Sequence, residues 1–159
     1  MPQPLCLECM RCGHEYPLTA LDRNCEVCAA DDIASNLTPR YPEAASPDRD
    51  NLQGNPRTLW RYADFLPLDA ADAVSLGEGM TPMVTVEGFG HGPIGVKDES
   101  RNPTWSFKDR LATVAVSWAR KIGVPAIATS STGNAGAAAA AYAARAGLPC
   151  VVLTYKGAA

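Results

Sequence analysis

The 159-residue sequence has few charged residues, few aromatic residues and no long hydrophobic run. Only 19% of its residues are charged, and the 14 lysines and arginines form no basic block or stripe, so nucleic acid is not an expected partner. The most apolar stretch, residues 135–146, is mostly alanine, contains Arg145 and is too short to span a bilayer. The sequence therefore predicts neither a nucleic-acid partner nor a membrane partner.

The N-terminus also lacks the charged and apolar regions of a secretory signal peptide, so we expect a cytoplasmic protein. Apolar residues nonetheless make up 47% of the chain. A chain of this length and composition buries a core, which excludes global disorder.

Cysteine is concentrated in the first 28 residues, which contain five of the six. Disulfides are uncommon in the reducing cytoplasm, so the spacing is more informative. Cys9 and Cys12 form one C-x2-C pair, and Cys25 and Cys28 form a second. Two such pairs supply four thiolates for a tetrahedral structural zinc ion and leave no open coordination position for catalysis. We predict a zinc-ribbon-like module over residues 1–32.

The ligand set has alternatives. Cys6 and Cys9 are also spaced as a C-x2-C pair and could supply the first two ligands. Gly13 directly follows Cys12, and its backbone freedom favours a tight turn there, so Cys9 and Cys12 are the preferred pair. His14 could replace one cysteine. The alternative to a metal site is that these cysteines are free thiols in a flexible tail.

The rest of the chain divides into a connector and an α/β region. Residues 33–74 are rich in proline and turn-forming residues, with a short helical stretch at 59–65. From residue 75, patterning predicts strands and helices in alternation, namely strands at 82–86, 94–98, 126–129 and 150–154 and helices at 107–121 and 135–145. This order predicts a parallel sheet with flanking helices and right-handed crossovers.

Such a sheet needs more strands than residues 75–159 supply. We therefore expect the N-terminal, truncated part of a larger catalytic domain, with a complete small domain that has an unusual edge as the alternative. In the first helix we expect an apolar stripe to face the core, and Ser106 and Asp109 to form a variant capping box. The stripe consists of Phe107, Leu111, Val114, Trp118 and Ile122.

Lys108 stands out because it lies in the predicted first turn of a helix. That end of a helix carries partial positive charge and disfavours a second positive charge. A lysine that is neutral part of the time can form an imine with an aldehyde. We expect Asp109 and Arg110 to anchor the helix start through ionic contacts. An exposed lysine paired with Asp109 is the simpler alternative.

The turn before the second helix, residues 130–136, is built from small hydroxyl residues and glycines. It is expected to leave backbone N–H groups free at a helix N-terminus, where a carboxylate or phosphate binds. Asn134 can donate a hydrogen bond to a ligand oxygen. The turn lacks the full three-glycine dinucleotide pattern, and a plain helix cap is the alternative.

Three segments together resemble the pyridoxal-phosphate enzymes of the tryptophan-synthase β-type fold. They are Gly-Glu-Gly-Met-Thr-Pro at 77–82, the lysine segment at 102–110 and the polar turn at 131–136, and they occur in that family's order. Within this group the chain looks most like the threonine synthases, some of which share a leading cysteine-pair module and the Leu-Trp-Arg-Tyr motif found at 59–62.

The resemblance implies roles for particular residues. Lys108 would hold pyridoxal 5′-phosphate covalently and move protons, Phe107 would pack against its ring, and Asn134 would hydrogen-bond its 3′ oxygen. The substrate carboxylate would be received by Ser131, Thr132 and the backbone around Gly133. The implied reaction converts O-phospho-L-homoserine and water to L-threonine and phosphate. The expected partner is thus a small amino-acid substrate, and a homo-oligomer is compatible with the full-length protein.

Two departures from the family pattern stand out. Trp105 occupies a position where the family usually has glycine. The family's glycine-rich phosphate loop and the hydroxyl residue for the ring nitrogen have no counterpart before Ala159, so we expect the isolated polypeptide to bind cofactor weakly and not to turn over.

Other functions are weighed against this one. Close alternatives are threonine dehydratase and enzymes of the cysteate synthase type. More distant ones are a non-catalytic zinc-binding module and a nucleotide-binding oxidoreductase. An oxidoreductase would need an acidic residue about twenty residues after the glycine turn. The sequence has Thr154 and Tyr155 there.

Overall fold

A computed structural model describes residues 4–20, 23–42, 50–52, 56–88, 90 and 92–157. The chain forms two compact units. One consists of Met1–Gln53 with Tyr62–Asp69, and the other of Gly54–Arg61 with Ala70–Ala159. The division after residues 32 and 74 expected from the sequence stays a prediction.

The first unit is built on a three-stranded antiparallel sheet. Strand β1 (Cys6–Cys9) lies in the centre, between β2 (Glu15–Tyr16) and β3 (Leu37–Arg40). A single-turn helix, α1 (Glu26–Ala29), follows β2 along the chain. Short 3-10 turns occupy Leu18–Ala20 and Asp50–Leu52. The core consists mainly of cysteines, with three partly buried side chains packed against them, Tyr16, Ile33 and Leu37. A segment with so little apolar core needs another source of stability.

The second unit contains two separate strand pairs. Strands β4 (Met83–Val86) and β5 (Ile94–Lys97) pair antiparallel, whereas β6 (Ile127–Ser130) and β7 (Cys150–Leu153) pair parallel. The predicted parallel sheet is therefore correct for β6 and β7 and wrong for β4 and β5. The link between β4 and β5 is too short for the crossover that parallel pairing requires.

Two long helices pack in this unit, α2 (Lys108–Lys121) and α3 (Asn134–Ala146), close to their predicted bounds. Helix α3 is the crossover between β6 and β7. Short 3-10 segments cover Ala70–Asp72 and Glu99–Arg101, and a third, Leu59–Phe65, has its first three residues in this unit and the rest in the first unit. Among the described residues, every helix is too short or too polar to be a transmembrane span.

The buried face of α2 differs from the predicted one. Phe107, Leu111 and Ile122 of the expected stripe are 57%, 62% and 45% exposed, and Val114 and Trp118 are half-buried. The residues that are buried are small or polar, namely Asp109, Ala112, Thr113, Val116 and Ser117. The prediction is wrong because the stripe was defined by the spacing of large apolar residues alone. Small side chains allow α2 to pack closely against the alanine-rich α3.

Polar groups on this face are buried together with their partners. The Thr113 hydroxyl donates to the Val74 carbonyl and accepts from the Trp60 indole, at 2.7 and 2.8 Å. The Val74 N–H donates to the Ser117 hydroxyl at 2.7 Å. Because these bonds satisfy the hydroxyls, the helix can bury them without a large desolvation penalty.

Gly79 lies where the chain passes close to the backbone of Leu59. Its φ is +99°, and a Cβ at this position would lie 2.8 Å from the Leu59 nitrogen. That nitrogen donates a hydrogen bond to the Glu78 carbonyl at 2.8 Å. We expect Gly79→Ala to lower the free energy of unfolding by about 3 kcal/mol, from backbone strain plus the clash.

The matched control for this prediction is Gly77→Ala. Gly77 also has a positive φ of +95°, but a Cβ there would meet nothing within 4 Å. Strain alone should cost about 1 kcal/mol. Denaturant unfolding of both variants measures the difference, and equal losses would show that the close approach to Leu59 is unimportant.

Candidate functional site

The first unit brings four thiols together. The sulfur atoms of Cys9, Cys12, Cys25 and Cys28 all lie within 4.8 Å of one another. The Cys9–Cys28 and Cys12–Cys25 sulfur distances are 3.7 and 3.6 Å. A tetrahedral zinc ion with zinc–sulfur bonds of about 2.3 Å would require sulfur–sulfur distances of about 3.8 Å. The donor set and its spacing therefore fit a four-thiolate metal centre.

Backbone N–H groups point at these sulfurs. The N–H groups of Arg11 and Cys12 donate to the Cys9 sulfur at 3.4 and 3.5 Å. The second pair repeats the arrangement, with the Cys28 N–H donating to the Cys25 sulfur at 3.4 Å. Hydrogen bonds of this kind stabilise thiolates and orient them toward a metal ion.

Without a cation at its centre, the cluster does not favour deprotonation of all four cysteines. Hydrogen bonds from the Cys12 N–H and then from the Ser35 hydroxyl lower the pKa of Cys9 to about 5. Burial raises the pKa of Cys28 to about 12. A divalent cation at the centre would supply the charge that allows all four sulfurs to deprotonate.

The alternative ligands lie outside the cluster. Cys6 is paired with Arg40 across the β1–β3 sheet. The His14 ring packs edge-on against Tyr16, with 4.9 Å between ring centroids. Among the described residues, the group of close ligand atoms contains neither Cys6 nor His14.

In the second unit, Lys108 is the first residue of α2 and is half-buried. Its Nζ lies 4.7 Å from the centroid of the Phe107 ring, over the ring face. Its backbone N–H donates to the Ser106 hydroxyl at 3.0 Å. The lysine thus lies at the helix start, as the sequence predicts.

The capping arrangement before Lys108 differs from the predicted capping box. The N-cap residue is Phe107, without a side-chain cap bond. The Asp109 carboxylate accepts from the Thr104 N–H at 3.2 Å and from the Thr104 hydroxyl at 2.7 Å. Trp105 adopts a φ of +61° between these residues. This turn brings Thr104, rather than Ser106, to the Asp109 carboxylate.

Arg110 anchors the helix start through an ion pair, as expected, whereas Asp109 accepts hydrogen bonds from Thr104 and forms no ion pair within the described residues. Its Nε and Nη2 atoms donate to the two Glu99 oxygens at 2.7 and 2.8 Å. Glu99 also accepts from the Thr81 hydroxyl at 2.6 Å and from the Asn102 amide at 3.0 Å. Four donors on one carboxylate link α2 to the turn before β4.

This arrangement predicts an acid-sensitive stability. The Arg110 hydrogen bond, more than any other contact, lowers the pKa of Glu99 from 4.5 to about 2. A lowered pKa in the folded state stabilises the protein above the unfolded value, so the contribution should be lost as the pH falls from about 4.5 toward 2. In Glu99→Gln the free energy of unfolding should fall less steeply across this range. Glu87→Gln, at an exposed site, should behave as wild type; two parallel curves for Glu99→Gln and wild type would contradict the assignment.

Lys108 lines a cavity of about 200 Å³ between α2, β6 and α3. The other walls are almost entirely apolar and consist of Leu111, Ala112, Ala115, Val116, Ile127, Ala128, Thr129, Ala135 and Ala139. Ala135 belongs to the first turn of α3, so this cavity joins the lysine to the start of the second helix. A flat apolar group with one aldehyde suits such a lining.

In the polar turn, Ser131 occupies some of the backbone N–H groups that were expected to be free. The Ser131 hydroxyl accepts from the N–H groups of Gly133 and Gly136, at 3.2 and 2.9 Å. The expectation that these N–H groups are free is therefore wrong for two of them. Within the described part of the chain, no hydrogen bond occupies the N–H groups of Thr132, Asn134 and Ala135, and these remain able to bind an anion.

Two of the three predicted substrate-binding residues line a second cavity, and Gly133 is not among its lining residues. Ser131 and Thr132 share it with Ser130, Leu153, Thr154 and Tyr155 at the carboxyl ends of β6 and β7. Parallel strands commonly bind ligands at this edge. Asn134 is exposed at the start of α3. Lys108 lines the first cavity together with Ala135 of the polar turn, whereas Ser131 and Thr132 line the second, so the lysine and the two hydroxyl residues do not share a cavity.

Sequence reasoning missed Glu78 and Tyr142. Both are fully buried, and the tyrosine hydroxyl donates to the Glu78 carboxylate at 2.8 Å. The available signal was a charged residue between two glycines at 77–79, a pattern typical of a tight turn. A charge at such a tight turn is informative because burying it requires a set of donors.

The geometry around Lys108 in the second unit suits the aldehyde end of pyridoxal phosphate. The half-buried lysine amine lies beside an aromatic ring and opens onto an apolar cavity. Gly136 allows α3 to lie directly on the sheet, because a Cβ there would be 2.8 Å from Val152 Cγ1. Lys108 would hold the aldehyde carbon and Phe107 would flank the ring, whereas Asn134 is exposed and is not among the residues that line this cavity.

Comparison with known proteins agrees with this chemistry. The family model described as "Pyridoxal-phosphate dependent enzyme" matches residues 74–159. A threonine synthase of Methanocaldococcus jannaschii is 36% identical over 155 residues, covering 94% of this chain and 37% of the relative. A threonine synthase of Methanosarcina acetivorans is 37% identical over 155 residues, covering 95% and 37%.

Bacterial relatives match a shorter part. A threonine synthase of Halalkalibacterium halodurans is 45% identical over 103 residues, or 62% of this chain and 29% of the relative. The chain thus spans little more than a third of the length of the curated relatives it matches. The resemblance to threonine synthases inferred from the motifs is confirmed. With its matched segment covering more than half of the sequence, the chain belongs to the family of pyridoxal-phosphate dependent enzymes.

Proposed function

We propose that the chain belongs to a threonine synthase, which converts O-phospho-L-homoserine and water to L-threonine and phosphate. The similarity to two archaeal threonine synthases over 94 and 95% of the chain carries this proposal. The substrate is a small amino acid, and a homo-oligomer is compatible with the full-length protein.

Lys108 is the proposed catalytic residue. Its amine would hold pyridoxal phosphate covalently and would carry protons to and from the substrate carbons. The cofactor supplies an electron sink for negative charge on carbons next to the substrate amine. Phe107 packs beside the ring, which keeps water from one face of it.

The polar turn is the proposed substrate site. Ser131, Thr132 and the backbone around Gly133 bind the substrate carboxylate, which suits the N–H groups at the start of α3. Ser131 acts there by holding the turn, because its hydroxyl already bonds to the Gly133 and Gly136 N–H groups. Asn134 donates to the cofactor's 3′ oxygen.

The four-cysteine cluster is the proposed structural zinc site. Its sulfur distances match those of a tetrahedral centre, and four protein ligands leave no position for a substrate. The metal stabilises a unit whose core is otherwise small.

The reaction is tested by assaying the full-length protein loaded with pyridoxal phosphate. We expect phosphate release from O-phospho-L-homoserine with matching formation of threonine. L-threonine and O-phospho-L-serine serve as competing substrates, which report a dehydratase or a β-replacement enzyme. Faster turnover of either one would contradict the threonine synthase assignment.

The 159-residue polypeptide alone is expected to bind the cofactor weakly and not to turn over. The described residues supply partners for the aldehyde and the ring, and a phosphate-binding glycine loop is not among them. Titrating the polypeptide with pyridoxal phosphate measures this; a stable stoichiometric absorbance band of lysine-bound cofactor would contradict it.

A further inference from the structure

The second unit contains a buried polar cluster that the proposed reaction does not use. It consists of Glu78, Tyr142 and Asp109, each with a relative exposure of 0%. The three residues come from the turn before β4, from α3 and from the first turn of α2. Acidic residues are almost never fully buried unless their charge is satisfied, so the cluster requires an explanation.

Hydrogen bonds hold the Glu78 carboxylate. The Tyr142 hydroxyl donates to its Oε2 at 2.8 Å, the Ser75 hydroxyl lies 3.1 and 3.0 Å from its two oxygens, and the Leu76 N–H donates at 3.0 Å. None of the ion pairs within the described residues involves Glu78 or Asp109. Without a cation, loss of any one donor leaves a buried carboxylate poorly satisfied.

Tyr142 connects this carboxylate to α2. Its ring packs in one core cluster with Ala112 and Val116, which lie three and seven residues after Asp109 on the same helix face. Burial, followed by the Glu78 carboxylate, raises the pKa of Tyr142 far above its usual value, and Asp109 acts in the same direction. The hydroxyl therefore keeps its proton and remains a donor to Glu78.

We propose that Glu78 and Tyr142 are positioning residues for Lys108. Their hydrogen bond holds the Tyr142 ring against Ala112 and Val116, and this packing fixes the N-terminal half of α2. Lys108 is the first residue of that helix, so the packing sets the orientation of its amine. The proposal rests on the proposed function of Lys108 as the cofactor-binding residue.

The test compares two variants of the full-length protein, Tyr142→Phe and Thr113→Val. Tyr142→Phe removes the hydroxyl and keeps the ring in the core. Thr113→Val is the control: it lies on the same helix, is equally buried, and loses the bonds to Trp60 and Val74. General destabilisation should therefore be at least as large in the control, as thermal unfolding will show.

Two readouts report on Lys108. The first is the rate at which added pyridoxal phosphate forms its lysine-bound absorbance band. The second needs no cofactor: formaldehyde and cyanoborohydride methylate lysines, and mass spectrometry gives the labelling of Lys108 relative to exposed Lys156. We expect Tyr142→Phe to slow formation of the lysine-bound band by about fivefold or more, the equivalent of one buried hydrogen bond. The same variant should also change the methylation of Lys108 relative to Lys156. Thr113→Val should change neither the rate nor the methylation ratio.

The proposal is overturned if both variants change the two readouts equally, or if Tyr142→Phe changes neither of them. A wild-type protein that never binds cofactor at Lys108 would instead refute the proposed function. In that case the methylation ratio alone decides whether Tyr142 positions the lysine.

Discussion

Replacing Lys108 with alanine should abolish turnover of O-phospho-L-homoserine, lowering kcat by about a thousandfold or more. The lysine is proposed to serve both as the covalent attachment point and as the proton carrier, and proton transfer alone contributes roughly 10²- to 10⁴-fold. The variant should fold normally, because the described contact of the Lys108 side chain is with the exposed Phe107 ring. Steady-state kinetics of the full-length variant measure the effect.

The matched control is Lys156→Ala, since Lys156 is exposed and follows β7. It should retain wild-type kcat and KM. Unchanged turnover in Lys108→Ala would contradict the catalytic assignment and would favour a non-catalytic role for the chain. Circular dichroism shows whether Lys108→Ala is folded, and so separates a loss of turnover from a loss of structure.

Replacing Cys25 with serine, or removing the metal with a strong chelator, should unfold the first unit. Cys25 is fully buried within the four-thiol cluster. Structural zinc contributes about 10 kcal/mol or more to small modules of this kind, which is comparable to the whole stability of a typical domain. Metal content by mass spectrometry should fall from one ion per chain to none.

The control for this prediction is Cys6→Ser, which also tests the alternative ligand pair. Cys6 lies on β1 outside the cluster, so its replacement should leave metal content and folding unchanged. Loss of metal in Cys6→Ser, or one retained ion in Cys25→Ser, would contradict the proposed ligand set.

The sequence predicted the elements well where local signals were strong. Helix α3 was expected over residues 135–145 and spans Asn134–Ala146, because Gly147, with a φ of +72°, ends it. The proximity of the four thiols also follows from spacing, since each C-x2-C pair closes a turn. Local patterns of this kind report residues that are neighbours in the chain.

Long-range packing was harder to predict. The stripe through Leu111 and Ile122 has helical periodicity but is exposed. The buried face instead uses Ala112 and Thr113, whose small and polar side chains carry no such signal. They are buried because α3 approaches closely and because Trp60, more than fifty residues away along the chain, supplies a hydrogen bond.

The candidate site shows the same limit. The position of Lys108 at a helix start was predicted from its neighbours in the sequence. Its support by Glu78 and Tyr142 was not, because 64 residues separate the members of that hydrogen bond. The capping prediction failed for a related reason. Trp105 has a positive φ, which is disfavoured for a bulky residue, so its sequence context does not predict the turn that it forms.

The most direct test of the account is to find which lysine binds the cofactor. Full-length protein is loaded with pyridoxal phosphate, reduced with borohydride and digested, and the labelled peptide is mapped by mass spectrometry. We predict a single stable adduct on Lys108. An adduct on another lysine, or no adduct in a protein that is folded and loaded, would contradict the assignment.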